Sequence, residues 1–234
     1  PLFLLFKDSA GYYRFSNAIP VLQSSYIIPY RNHDPLNGVT AFDLNLIALH
    51  IAGVKKLSSP YKIIAADADK SGSVNGADLT VLRRLILGLD KKFLKNTSWR
   101  FVALPHTFLN PQNPFQKPFP ESVHFYTALE IGEFHFVGIK TGDVDGSAQT
   151  TLLRDSGAGD RTAAVFDVQD RMVQTGERAE VTFESREALI GQQFTLEYPG
   201  MEVLSVESLS PGMQSEHFGV LEDRRVLTHA WNSS

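Results

Sequence analysis

The stretch Asp67-Ala-Asp-Lys-Ser-Gly-Ser-Val-Asn-Gly-Ala-Asp78 constrains this chain more than any other. Oxygen-bearing side chains fall at its first, third, fifth, ninth and twelfth positions: Asp67, Asp69, Ser71, Asn75 and Asp78. Gly72 stands sixth, where a chain wrapped around one point must turn sharply. Ser73 stands seventh, where a backbone carbonyl can face inward. Calcium is a hard cation that takes about six to eight oxygens, and this spacing converges them on one ion. The plain alternative is an Asp/Ser/Gly-rich surface turn that binds nothing. Such turns seldom hold this many oxygens in register with the glycine.

The residues that follow support an ion. Leu79, Val81, Leu82, Leu85, Ile86 and Leu87 recur at helical spacing, and Gly88 is a natural stop. A helix over about 76–88 puts Asp78 in its first turn, where the helix dipole favours a carboxylate that can still face the cation.

The pattern occurs once before. Asp43-Leu-Asn-Leu-Ile-Ala-Leu-His-Ile-Ala-Gly53 aligns with Asp78-Leu-Thr-Val-Leu-Arg-Arg-Leu-Ile-Leu-Gly88, which predicts a helix over about 41–52. Upstream, Val39 aligns with Val74 and Thr40 with Asn75. This first loop is degraded. Asn32 and Asp34 hold positions one and three, Pro35 and Leu36 interrupt the middle, and the glycine comes one place late at Gly38. A second ion here would use Asn32, Asp34, the Gly38 carbonyl and Asp43, with Asn37 and Thr40 as further oxygens.

A duplicated loop–helix unit of this kind resembles the type I dockerin module, an EF-hand-like calcium fold. The resemblance rests on the D-x-D-x-S-G-x-V-N-x-x-D-L run at 67–79, the N-G-V-T-x-x-D-L run at 37–44 and the I-x-G ends at 51–53 and 86–88. It covers about residues 32–90. It implies two calcium ions, two antiparallel helices and a protein-binding or chain-linking role. The positions that meet a cohesin in such modules hold Ala41, Phe42, Gly76, Ala77, Arg83 and Arg84 here, not the hydroxyl pairs typical of cellulosomal dockerins.

The flanks read as β-structure. Strands are expected at about 2–6, 11–15 and 25–29. Gly11-Tyr-Tyr-Arg-Phe15, Ile19-Pro20 and Tyr26-Ile-Ile-Pro29 resemble the end of a carboxypeptidase-regulatory, Ig-like domain; any β-hairpin would serve as well. Pro60 bars a continuous helix between the two loop–helix units, so 54–66 reads as a connection. Prolines between Pro105 and Pro120 exclude long helices there. Phe108, Phe115 and Phe119 among them suggest an extended segment packed over the calcium module or, alternatively, a sugar-binding aromatic surface. Asp143-Val-Asp-Gly-Ser147 repeats the first half of a calcium loop but has no helix and no twelfth-position acid after it. The residues leave open whether Asp143 and Asp145 hold a third ion or form a simple turn. Asn96–Val102 and Gly138–Gly146 are similar to a variant in large bacterial surface proteins, where the dockerin-like repeat lies between β-domains. Residues 150–160 form a polar linker. Strands are then expected at 163–168, 178–184, 192–198, 203–206 and 225–231. The runs at Gly176–Phe183, Gly191–Leu196, Leu204–Ser208, His217–Gly219 and Val226–Trp231 look like the first part of a cohesin-like or generic Ig-like sandwich.

Composition narrows the function classes. There is no cysteine, so disulfide and thiol chemistry are excluded, and a net charge of −4 is too small to suggest nucleic acid as a partner. No segment approaches the eighteen or so apolar residues of a membrane span. No nucleophile elbow, phosphate-binding glycine loop or H-E-x-x-H appears, and the clustered acids are accounted for by calcium. The expectation is a mixed, multi-domain and mainly β chain carrying a two-helix calcium module. Its parts would be 1–31, 32–149 with its core at 32–90, the linker, and 161–234. It reads as an internal piece of a longer, secreted or cell-surface bacterial protein. Its role would be non-catalytic: calcium-stabilised structure or adhesion. Alternatives are a dockerin for a separate cohesin in a polysaccharide-degrading assembly, or a carbohydrate-binding module.

Overall fold

A computed structural model describes residues 5–7, 13–15, 25–125, 134–149, 172–183, 191–208 and 212–232. Among the described residues the architecture is mixed, with three α-helices and several small antiparallel sheets. No helix among the described residues is long and apolar enough to cross a membrane.

Two helices lie where the repeat predicts them. α1 spans Ala41–Ile51 and α3 spans Gly76–Ile86. Each begins on an extended residue, Thr40 or Asn75, whose backbone N–H donates to the carboxylate three residues on. Asp43 Oδ2 accepts from Thr40 N at 2.9 Å, and Asp78 Oδ2 accepts from Asn75 N at 2.9 Å. These reciprocal caps satisfy N–H groups that the first helical turn leaves free.

The third helix corrects the two-helix expectation. α2 spans Pro60–Ala66. Pro60 does bar a helix through it, but at the first helical position its missing N–H costs nothing and its fixed φ favours entry. Ser59 caps the helix, its Oγ accepting from Lys62 N at 3.3 Å.

The helices bury one continuous core. Leu44 and Ile47 of α1 meet Ile63, Ile64 and Ala66 of α2 and Leu82 and Leu85 of α3, each 3% exposed or less. Strands β4 (Trp99–Leu104) and β6 (His135–Lys140) pair antiparallel, from Trp99 opposite Lys140 to Leu104 opposite His135. They add Val102 and Ile139 to the same core, and Val144 follows just beyond β6. The proline-rich segment packs over the module. Phe108 meets Tyr61 of α2 edge-on at 5.6 Å and Phe119 at 6.0 Å.

At the N-terminal side, β1 (Leu5–Lys7) pairs with β2 (Tyr13–Phe15) as expected. β3 (Ser25–Ile27) does not join them. It pairs with β5 (Val123–Phe125), so this strand is shared with the segment beyond the loop–helix units. Toward the other end, β7 (Gly191–Glu197), β9 (Val226–Asn232) and β8 (Phe218–Leu221) form one sheet in the order β7-β9-β8. Two of the expected strands are absent: residues 178–183 and 201–208 carry no regular structure. Both stretches are largely exposed, and alternation alone does not supply the neighbouring strand that a ladder requires. The sheet is therefore a single three-stranded layer among the described residues. The linker at 150–160 and the strand expected at 163–168 lie outside them.

Candidate metal centre

Among the described residues, two groups of three carboxylates could each hold a metal ion: Asp67, Asp69 and Asp78, and Asp43, Asp143 and Asp145. Within each group, one oxygen from every residue lies within 4.8 Å of the others.

The first group is the contiguous loop. Asp67 Oδ1 accepts from Ser71 N at 2.8 Å and its Oδ2 from Gly72 N at 3.1 Å. Asp69 Oδ1 also accepts from Ser71 N, at 3.0 Å. Asp78 Oδ1 accepts from Asp69 N at 3.1 Å, which fastens the loop's end to its beginning. Ser71 Oγ donates to the Ser73 carbonyl at 3.2 Å, bringing the fifth and seventh positions together. Asn75 spends its Oδ1 on capping α3, accepting from Ala77 N at 2.9 Å.

The second group repeats these contacts with a chain in two pieces. Asp143 Oδ1 accepts from Ser147 N at 3.1 Å and its Oδ2 from Ala148 N at 2.9 Å. Asp145 Oδ1 accepts from Ser147 N at 2.8 Å. Asp43 Oδ1 accepts from Asp145 N at 3.2 Å, as Asp78 does from Asp69. Ser147 Oγ donates to the Gly38 carbonyl at 3.1 Å, as Ser71 does to Ser73. The fourth residue of each loop, Lys70 and Gly146, has a left-handed backbone with φ of 59° and 88°. Residues 143–148 thus take loop positions one to six, and residues 38–43 take positions seven to twelve.

The two pieces meet where a continuous chain would pass from position six to seven. A Cβ on Gly38, whose φ is +75°, would lie 2.5 Å from Ala148 N. Only glycine allows that approach and that backbone. Asn37 stitches the junction, donating from Nδ2 to the Gln149 carbonyl at 2.7 Å and accepting from Gln149 N at 3.0 Å.

This arrangement revises the first loop as read from sequence. Asp43 and the Gly38 carbonyl are in place, with Thr40 bound to Asp43 through both its N–H and its hydroxyl. Asn32 is engaged elsewhere: its Oδ1 accepts from Ser98 N at 2.9 Å and Ser98 Oγ at 3.3 Å. Asp34 sits in the left-handed region at φ 52°, outside the carboxylate group. The half-loop at 143–147 is the other half of the first site rather than a separate third one. The chain carried a signal of this. One stretch held positions one to five without a twelfth acid, and another held seven to twelve with its first half spoiled.

Burial dominates the electrostatics. It pushes the carboxyls of Asp78 and Asp143 up to about 6, and raises Asp43 and Asp67 as well, partly offset by their backbone N–H donors. Nearby carboxylates raise them further. Cations approach from β4 and β6. Arg100 Nη1 lies 3.7 Å from Asp67 Oδ2, and Arg100 Nε donates to Glu121 at 2.9 Å. Lys140 Nζ donates to the carbonyls of Pro35 at 2.7 Å and Thr141 at 2.9 Å. Burial lowers its ammonium to about 8, against the attraction of Asp143, Asp34 and Asp43. His50 has a structural role, its Nδ1 accepting from Leu57 N at 3.1 Å.

The donors are carboxylate, hydroxyl and carbonyl oxygens, without a thiol or imidazole, which suits a hard divalent cation. Comparison of the chain with protein-family models, with curated proteins and with solved structures finds no match.

Proposed function

We propose that the two carboxylate groups are calcium sites and that the chain is a non-catalytic structural segment of a secreted or cell-surface protein, ordered by those ions. The observation that carries this reading is the repetition of one hydrogen-bond cage in two places. Asp67/Ser71/Gly72/Asp78 and Asp143/Ser147/Ala148/Asp43 make the same contacts, although one cage is continuous and the other is split. A surface turn has no reason to be rebuilt from two distant segments. Calcium suits the sites because it accepts carboxylate, hydroxyl and carbonyl oxygens together and tolerates irregular geometry, and extracellular modules bind it at about 10⁻⁴–10⁻³ M.

The structural role follows from what the sites join. Each loop supplies the carboxylate that caps a helix of 11 residues, a length at which helices are marginal alone. An ion that binds only the folded chain stabilises it by about 2.7 kcal/mol when free ion is a hundredfold above its Kd. Phe108 of the proline-rich segment is engaged with Tyr61 of α2 and with Phe119, which favours structure over sugar binding.

Calorimetric titration of calcium into chelator-stripped protein tests the reading. Two ions should bind per chain. Asp143→Ala and Asp67→Ala should each leave one, and the double variant none. Failure of the parent chain to bind calcium overturns the assignment. Full binding by Asp143→Ala overturns the split site.

A further inference from the structure

The sheet β7-β9-β8 rests on the end of the helix pair formed by the start of α1 and the finish of α3. Three kinds of complementarity meet there. The first is steric. Gly219 stands inside β8, where glycine normally weakens a strand. A Cβ at that position would lie 3.1 Å from the Leu87 carbonyl oxygen, 3.2 Å from Leu87 Cβ and 2.7 Å from Thr228 Oγ1. The sheet is hollowed to admit the helix end.

The second is polar. The last carbonyls of a helix have no partner within it. Leu87 caps α3, and its carbonyl accepts from Thr228 Oγ1 of β9 at 2.7 Å in a buried contact. At the other helix, Ala41 N, one of the free first-turn donors, reaches Gln193 Oε1 of β7 at 3.4 Å. The third is charge: Arg83 Nη1 lies 3.3 Å from Glu216 Oε1, and its Nη2 lies 3.5 Å from Asn232 Oδ1. Ala230, fully buried on the same strand face as Thr228 and Asn232, completes the apolar contact with the helical core.

Part of the chain that connects the helices to the sheet is described. Its described residues, 172–183, carry no regular structure and are almost all exposed. A contact that mixes polar groups with the apolar Ala230 has the make-up of an interface between domains.

We propose that the α1/α3 end is a separable docking surface for the Gly219–Thr228–Ala230 face of this sheet, filled in cis in one chain and fillable by the sheet of a second copy once the cis contact is broken. The surface takes an antiparallel sheet, and the Thr228 hydroxyl on that sheet and the Glu216 carboxylate in the turn just before β8 are what it reads. The residues varied below, Gly219 and Arg83, lie outside both carboxylate groups, so a failure of the docking and a failure of calcium binding are distinguishable.

Hydrogen exchange of the full chain, read by mass spectrometry, tests the contact from both sides. Gly219→Val, a change on the sheet, should speed exchange of the α3 end around Leu85–Leu89 by about tenfold or more. Arg83→Glu, a change on the helix, should do the same for β8 and β9. In both variants the amides of β4 and β6 should keep their rates. Either variant leaving the opposite element at its original rate overturns the contact. The two variants are then mixed. Gly219→Val retains an intact helix end and Arg83→Glu an intact sheet, so light scattering should show a heterodimer at concentrations where each alone is monomeric. A mixture that stays monomeric overturns a docking surface that works between copies, and this holds even if Gly219→Val unfolds its own sheet.

Discussion

Asp43 and Asp78 each serve two purposes with one side chain. One oxygen of each caps a helix, and the other fastens the start of a loop. Gly38 is the matching residue on the main chain, and Gly38→Ala should be costly. The added Cβ meets Ala148 N in a backbone conformation that alanine adopts poorly, so a loss of about 1–3 kcal/mol is expected. Thermal unfolding should show that loss, and calorimetry should find one calcium ion instead of two. Protonation gives a second expectation at this scale. Asp78 and Asp143 are raised to about 6, so the metal-free folded chain holds protons that the unfolded chain has released. The metal-free chain therefore loses stability as pH rises from about 4 to 6, by on the order of 1 kcal/mol or more per carboxylate. Calcium needs the same groups ionised. The gain in melting temperature on adding calcium should thus be large at pH 7 and shrink at pH 5. Buried His229, lowered to about 4, opposes the trend in both forms and cancels from that difference. A gain that grows on acidification would count against these carboxylates as ligands.

Among the elements, α2 shows how a breaker becomes a starter. Pro60 stops any helix arriving from 54–59 and opens one of 7 residues that carries Ile63, Ile64 and Ala66 into the core. A helix this short depends on its cap and its packing. Ser59→Ala should cost about 1 kcal/mol, seen as a lower urea midpoint with an unchanged slope. α1 and α3, in contrast, depend on carboxylates that also face the candidate ions, so their stability should follow calcium. Far-ultraviolet circular dichroism on adding chelator should lose helical signal. An unchanged spectrum would mean that packing alone holds these helices.

For the molecule as a whole, the split loop is a clasp. It joins Asp43 to Val144, which are 101 residues apart in sequence, and so encloses α1, α2, α3, β4, β5 and β6. The entropic cost of closing such a loop rises only slowly with length, yet it must be met by the contacts at the junction. Chelation should therefore open 38–43 and 143–149 together, with hydrogen exchange in both segments rising in parallel. Asp67→Ala, at the continuous loop, should leave that pair protected while exposing 67–78. If the two segments exchange independently, the clasp does not exist.

The sequence by itself determined the continuous loop and the two helices that follow the repeated units. All the information for these is local: oxygens in register over twelve positions, apolar residues at helical spacing, and a glycine just beyond each end. It also held both halves of the split site without saying that they belong together. Register is legible only along a continuous chain, and here the chain leaves at Gly38 and returns at Ala148. The tertiary structure decided which carboxylates join Asp43, which strand pairs with β3 and which surface receives the sheet. Each of these depends on segments distant in sequence meeting in space, where burial, close backbone approach and hydrogen bonds across the gap select one partner among many with the right local pattern.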